Sequence, residues 1–214
     1  EPNYQAMEKD KAKVDHALTL FDRHQVLNEI ARVLNLLGEC HRLDGRLEAA
    51  AENYHKALTI AEASFLDRDN WLPCERRIEI LERTAQIMSE EADELAMNAA
   101  REGGKPLVDS RVEVARAIDG IKICIEVLRT QAGEEIPMGL NAASTNRLAF
   151  TRHEPIGVVV AVSAFNHPLN LIVHQVAPAV AVGCPVIVKP AGGLSNDADR
   201  FVELILCPGQ LDRS

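Results

Sequence analysis

Two polar side chains stand where predicted strands end. Asn166 follows the β-branched run Ile156–Val162, and Lys189 follows a second apolar run over Pro185–Val188. Ligands of open parallel sheets bind at the carboxyl ends of strands, so both side chains are candidates for contacts with a small molecule. Each also has a simpler interpretation, because Asn after a strand often caps a helix and a strand-end Lys is often only solvated. Neighbouring motifs must decide between these interpretations.

The cysteines, which could act as nucleophiles or metal ligands, stand at positions 40, 74, 124, 184 and 207. Their number is odd, their spacings are wide and no CxxC pair occurs. This pattern argues against a disulfide framework and against a zinc site, so we predict no metal. Free thiols suit a reducing compartment, and we expect a cytoplasmic protein.

Composition and net charge argue against two classes of partner, nucleic acids and membranes. The chain has 214 residues, of which 47% are hydrophobic, and a formal net charge of −9. That length suits one large domain or two modest ones. The negative charge argues against a nucleic-acid partner, because phosphate binding needs clustered Lys and Arg. No apolar stretch approaches the roughly 18 residues that span a bilayer, so no membrane partner is expected.

Helical periodicity dominates the sequence before Gly133. Apolar residues recur at helical spacing in five segments, which are Lys13–His24, Val26–His41, Arg46–Ala61, Glu75–Glu102 and Asp109–Gln131. We expect Asp109 to cap the last of these helices.

The pattern after Gly133 is that of alternating strands and helices. Ile136–Pro155 predicts a partly exposed hairpin, and Ile156–Val162 predicts a buried strand. A helix is expected from Pro168 towards Gly183, then the strand over 185–188 and a last helix over about 196–206. This order predicts an α/β fold in which the two strands are parallel and adjacent.

The helical region carries a faint internal repeat. Leu34 and Gly38 lie at the spacing of a W-x2-L-G-x2-Y signature, and Ala50, Tyr54 and Ala57 follow at later signature positions. This resembles a tetratricopeptide repeat, in which small residues allow two antiparallel helices to cross closely. A plain helical hairpin packed on the second half is the alternative. We expect two domains, a repeat-like region over 1–61 and a second domain over 62–214.

Six motifs in series follow between about residues 61 and 207. They resemble successive segments of the aldehyde dehydrogenase superfamily, in the order of that family. They are Pro73-Cys74-Glu75-Arg76-Arg77, Glu102-Gly103-Gly104-Lys105-Pro106, Glu154-Pro155-Ile156-Gly157-Val158-Val159, Ala161-Val162-Ser163-Ala164-Phe165-Asn166-His167-Pro168, Val176-Ala177-Pro178-Ala179 and Val186-Ile187-Val188-Lys189-Pro190-Ala191.

The resemblance implies a Rossmann-like cofactor domain, here with a partial parallel sheet, and NAD(P)-dependent oxidation of a small aldehyde to a carboxylic acid. Asn166 matches the family's oxyanion donor. Lys189 matches the lysine that binds the adenosine ribose of NAD or NADP. Val162, Ser163 and Phe165 match a stretch along the nicotinamide side of the cofactor.

Departures from the family pattern set limits on activity. Gly192 stands where many members carry a glutamate that shares the ribose, so we expect weak or absent cofactor binding. No segment matches the family's cysteine nucleophile or its catalytic glutamate. We therefore expect a truncated or fused product that is inactive alone and that self-associates through an unpaired sheet edge. Two alternatives are a helical-repeat interaction protein that binds a protein partner and carries an inert dehydrogenase segment, and an artificial fusion of unrelated segments.

Overall fold

The structure is a computed structural model that describes residues 45–189 of the chain. Several predictions lie outside these residues. They concern the helices before residue 45, the first half of the repeat, Gly192, the last helix over about 196–206, and the cysteines at 40 and 207.

Four α-helices open the described part. They are α1 (Leu47–Leu66), α2 (Cys74–Glu90), α3 (Ala92–Gly103) and α4 (Leu107–Thr130), with a short 3-10 turn over Arg68–Asn70 between α1 and α2. A small antiparallel pair follows, β1 (Glu135–Ile136) and β2 (Ala149–Phe150). The chain then forms β3 (Val159–Val162), α5 (Pro168–Val182) and β4 (Val186–Lys189). The predicted hairpin over Ile136–Pro155 is confirmed by the pairing of β1 with β2.

The predicted parallel pairing of the two strands is confirmed. The predicted extent and burial of the first strand were wrong, because β3 begins at Val159 and is buried only at Ala161, with Val160 and Val162 60% and 55% exposed. β3 pairs with β4 in parallel, with Val159 opposite Val186 and Val162 opposite Lys189. Helix α5 forms the crossover between them, as the alternation of strand and helix predicts. The described residues are thus α/β with two small two-stranded sheets, and the wider Rossmann-like sheet stays a prediction.

Two details of the helical prediction were wrong. The segment Glu75–Glu102 is two helices, because the backbone leaves helical geometry at Glu91 (φ −94°, ψ 11°). Asp109 does not cap α4, which begins at Leu107 with Pro106 in the cap position. Pro106 carries no backbone N–H, and its carbonyl accepts the N–H groups of Asp109 and Ser110 at 3.0 and 3.1 Å. Asp109 lies instead in the first turn, where its charge suits the helix dipole.

Helix α1 crosses the predicted domain boundary. It continues without a break from Leu47 through Ala61 to Leu66. Its buried residues include Ala50 and Ala57, which are two of the small residues in the repeat signature. Helical structure after residue 46 is therefore confirmed, whereas the tetratricopeptide-like packing and the division at residue 61 stay predictions.

The core lies between α2, α4, α5 and the inner face of β3. Leu81, Ile121 and Ile172 are fully buried there, together with Ala161 of β3. Aliphatic residues thus build this core, as a chain with only 4% aromatic residues requires. Among the described residues, no helix is long and apolar enough to cross a membrane.

Candidate functional site

The segment that joins β3 to α5 lies at the carboxyl edge of the parallel pair. The Ser163 N–H donates to the Lys189 carbonyl oxygen at 3.0 Å. This bond extends the parallel ladder by one residue past the end of β3. The Ser163 hydroxyl donates to the Pro168 carbonyl oxygen at 3.2 Å, and the side chain is buried. Ser163 therefore fixes the start of this loop, which we call the carboxyl-edge loop (residues 163–167), to β4 on one side and to α5 on the other.

Gln175 of α5 bonds to the side of β3 that faces away from β4. The Val162 N–H donates to Gln175 Oε1 at 2.8 Å, and Gln175 Nε2 donates to the Val162 carbonyl oxygen at 3.0 Å. A side-chain amide thus makes the two hydrogen bonds that a neighbouring strand would make at this residue. Sequence reasoning missed Gln175, since a polar residue on a helix gives no sign of which distant backbone it will contact.

Glu113 of α4 holds the start of α5. Its buried Oε1 accepts the backbone N–H groups of Leu169 and Asn170 at 2.9 and 3.1 Å. Its Oε2 forms an ion pair with the Lys105 ammonium and lies 3.5 Å from His167 Nδ1. The carboxylate therefore satisfies two N–H groups that the first turn of a helix cannot satisfy internally, at the positive end of the helix dipole.

Arg77 of α2 holds the other end of the same helix. Its Nη1 donates to the carbonyl oxygen of Ala181 in the last turn of α5. Gly183 ends the helix with φ +86°, and a Cβ at that position would lie 3.4 Å from Arg77 Nη1. The Glu113 carboxylate at the N-terminus of α5 and the Arg77 guanidinium at its C-terminus both complement the helix dipole. These contacts fix α5 and the loop before it relative to α2 and α4.

The start of α5 excludes one of the two interpretations of Asn166, that of a helix cap. The N-cap of α5 is His167, without a side-chain capping bond, and Glu113 receives the N–H groups that a cap would receive. Asn166 is exposed, and within residues 45–189 its side-chain amide makes no hydrogen bond. Helix capping therefore does not explain Asn166, whose N–H₂ group is available to an oxygen of a bound molecule.

The other predicted site residues lie at the same edge. Val162 and Lys189 are directly opposite each other in the register, and Ser163 bonds to the backbone of Lys189. Val162 is 55% exposed and Phe165 is 73% exposed, so two apolar side chains face solvent beside the polar ones. The structure thus brings Val162, Ser163 and Lys189 into contact through the ladder and places Phe165 and Asn166 on the adjoining loop.

Glu113 was the main residue that sequence reasoning missed, and a signal for it existed. It lies among the buried residues of α4, which include Ser110, Val114 and Ala117. A carboxylate on the core-facing side of a helix needs a charged or hydrogen-bonded partner, so its position alone predicts a buried interaction. The sequence did not show that the partner would be the first turn of α5.

The described cysteines lie away from the carboxyl-edge loop. Cys184 is buried just before β4 begins, at the opposite end of the strand from Lys189. Cys74 is the exposed first residue of α2, and Cys124 is a partly buried residue of α4. Among residues 45–189, no set of His, Cys, Asp and Glu side chains is placed to hold a metal ion.

We expect Cys124 to react more slowly with thiol reagents than Cys74. Burial raises the pKa of the Cys124 thiol, which lowers the fraction of reactive thiolate at neutral pH. Iodoacetamide labelling followed by peptide mass spectrometry between pH 7 and pH 9.5 measures both rates in one sample. Equal rates at pH 7.5 would contradict the structure at this position.

Comparison with known proteins gives one consistent family. Residues 44–206 match the aldehyde dehydrogenase family. A 3-sulfolactaldehyde dehydrogenase from Priestia megaterium is 36% identical over 157 residues, which are 73% of this chain and 32% of that protein. Aldehyde dehydrogenase 21 from Physcomitrella patens, solved with the reaction product succinate, has a TM-score of 0.68 and 32% identity over 75% of this chain and 33% of its own.

A second solved structure carries a cofactor. Glyceraldehyde-3-phosphate dehydrogenase from Methanocaldococcus jannaschii, complexed with NADP, has a TM-score of 0.65 and 35% identity. The match covers 72% of this chain and 32% of that one. The chain thus spans about a third of the length of these relatives.

Proposed function

Because the chain belongs to the aldehyde dehydrogenase family, we propose that its carboxyl edge supplies one side of an NAD(P)-dependent aldehyde oxidation site. Asn166 donates a hydrogen bond to the oxyanion that forms when a nucleophile adds to the aldehyde carbon. The substrate class is a small aldehyde and the product is a carboxylic acid. The 3-sulfolactaldehyde and glyceraldehyde-3-phosphate dehydrogenases among the relatives support this class.

One observation carries the proposal. Asn166 is held at the carboxyl edge of the parallel pair, but it does not cap the helix that follows, because Glu113 does. An oxyanion donor must keep its N–H groups free until the charge develops, and its backbone must be fixed beforehand. Glu113, Ser163 and Gln175 fix the ends of the loop, while the Asn166 amide stays exposed.

The same edge suits the cofactor that the family implies. NAD or NADP accepts the hydride of the aldehyde in this chemistry. The exposed Val162 and Phe165 side chains offer apolar surface to a flat ring, and Ser163 lies between them in the chain. In this proposal Lys189, at the end of the adjacent strand, binds the ribose hydroxyls. We propose these roles from the fit of the residues and from the NADP complex of a relative.

We also propose that the 214-residue polypeptide is inactive on its own. None of the described cysteines lies in the carboxyl-edge loop, and Cys184 is buried at the far end of β4. Covalent aldehyde oxidation needs a thiolate beside the nicotinamide. Cys40 and Cys207 lie outside the described residues, and neither stands in a segment that matches the family nucleophile. Without such a thiolate, an oxyanion donor at Asn166 has no intermediate to stabilise.

Isothermal titration of the chain with NAD and NADP tests the cofactor proposal. We expect weak binding of at least one nucleotide, and we expect Lys189→Ala to weaken it about tenfold, the value of one charge-assisted hydrogen bond. Lys122→Ala, which removes an exposed lysine from α4, is the matched control and should leave the affinity unchanged. Equal loss in both variants, or no binding of either nucleotide at millimolar concentration, would contradict the roles assigned to this edge.

A further inference from the structure

Strand β3 lies in a segment whose composition favours pairing with other strands. Residues 156–162 read Ile-Gly-Val-Val-Val-Ala-Val, without a charged residue and without a proline. Uncharged β-branched segments of about this length pair readily with one another when their backbone is accessible. Val160 and Val162 also keep their side chains exposed, at 60% and 55%. A chain that carries such a segment at the edge of a sheet needs a feature that blocks pairing.

The two sides of β3 differ in their backbone partners. On the side of β4, the Val159 N–H donates to the Pro185 carbonyl oxygen at 2.8 Å. In a parallel ladder alternate residues bond to the same neighbour, so the backbone N–H and C=O groups of Val160 and Val162 point to the other side. Among the described residues, no strand pairs with β3 on that side.

Gln175 occupies the open side at the end of β3. Its Oε1 accepts the Val162 N–H at 2.8 Å, and its Nε2 donates to the Val162 carbonyl oxygen at 3.0 Å. The Nε2 group also donates to the Leu171 carbonyl oxygen one turn earlier in α5, at 3.1 Å, which holds the side chain in place. We call the two bonds between Gln175 and Val162 the edge clamp.

The accessible part of this edge is short. Before β3 the backbone turns at Gly157, whose φ of +146° is rarely adopted by residues with a side chain. At the end of β3 the edge clamp satisfies both backbone groups of Val162. Within residues 45–189, Val160 is thus the one residue of β3 whose backbone groups stay open on this side.

We propose that the edge clamp protects β3 from pairing with an added strand. Strands in sheets usually pair over about three residues or more, and the clamp leaves a single open residue. Because the Gln175 amide offers the same donor and acceptor as a peptide group, it blocks pairing without leaving the Val162 backbone unsatisfied. Self-association through this edge should therefore be restricted in the folded chain. The clamp is independent of the chemistry proposed for the carboxyl-edge loop.

Hydrogen exchange tests the clamp itself. Gln175→Met removes both bonds to Val162 and keeps the length of the side chain. We expect the Val162 N–H to exchange at least about tenfold faster in this variant, because it loses its acceptor. The Ser163 N–H, which bonds to β4, should keep its protection. Amide NMR in deuterated buffer measures both rates in one sample, and an unchanged Val162 rate would overturn the proposal.

Self-association of the full chain tests the protective role. By sedimentation velocity and thioflavin T fluorescence, Gln175→Met should associate at least about tenfold more strongly than the unaltered chain, because two residues of the edge are then open. Gln86→Met, which replaces an exposed glutamine of α2, is the matched control and should behave as the unaltered chain does. Gln175→Glu keeps an oxygen for the Val162 N–H and adds a charge at the edge, so it should not associate more strongly.

A double variant separates strand pairing from association through another surface. Adding Val160→Lys to Gln175→Met places a charge on the open edge and should return association to the unaltered level. Association that persists in the double variant, or that rises equally in Gln175→Glu, would overturn the proposal. Equal association of Gln175→Met, Gln86→Met and the unaltered chain would also overturn it, since Gln175 would then only position the end of β3.

Discussion

Replacing Glu113 by alanine is expected to lower the free energy of unfolding by about 3–5 kcal/mol, the usual cost of removing one partner of a buried ion pair. The change leaves the Lys105 side chain, which is only 14% exposed, without its carboxylate. It also removes the acceptor for the N–H groups of Leu169 and Asn170 at the start of α5. Urea denaturation followed by circular dichroism measures the loss.

Two further variants identify the cause of that loss. Glu113→Gln keeps an oxygen for the two N–H groups but removes the charge, so its effect should lie between those of Glu113→Ala and the unaltered chain. Glu126→Ala removes an exposed carboxylate from the same helix and should change stability by no more than about 0.5 kcal/mol. A loss below about 1 kcal/mol for Glu113→Ala would show that α5 does not depend on this contact.

The second prediction is that the purified chain does not oxidise aldehydes. Purified chain mixed with NAD or NADP and short aliphatic aldehydes should produce no reduced cofactor above a heat-inactivated control, measured by absorbance at the nicotinamide band. We expect no turnover because none of the described cysteines lies beside Asn166. A donor at Asn166 stabilises an oxyanion only after a thiolate has attacked.

If turnover is seen, three variants identify which residues produce it. Turnover that is lost in Asn166→Ala but survives Cys207→Ser would show that the oxyanion donor is assigned correctly and that the nucleophile lies elsewhere. Turnover that survives both changes would contradict the role of Asn166. Cys74→Ser serves as a control, because Cys74 is exposed at the start of α2, on a different element from the loop.

Local patterns predicted the elements that carry the site. The second half of the β-branched run, Val159–Val162, and the short run after Pro185 form a parallel pair, and the helix between them begins at Pro168 as expected. These elements are determined by hydrophobic period and by turn residues, both of which are visible within a short stretch of sequence. The position of the site at the carboxyl ends of the two strands was then predicted from the parallel topology alone.

Contacts between distant residues were not predictable in the same way. Glu113 and Leu169 are separated by 56 positions, and Arg77 and Ala181 by 104. Such contacts arise only when α2, α4 and α5 pack together, so no local pattern contains them. The same limit explains why Asn166 looked like a possible helix cap. Its local sequence suits a cap, but a carboxylate from another helix already fills that role.

The most direct test of the central claim is to map where the cofactor binds. Titration of ¹⁵N-labelled chain with NAD and NADP, followed by amide NMR spectra, should shift the signals of Val162, Ser163, Phe165, Asn166 and Lys189 first and most. The loop and the end of β4 should respond together, because the Ser163 N–H bonds to the Lys189 carbonyl. Shifts confined to α1 or to the β1–β2 hairpin, with the carboxyl-edge loop unchanged at saturation, would contradict the assignment of this edge as the cofactor and oxyanion site.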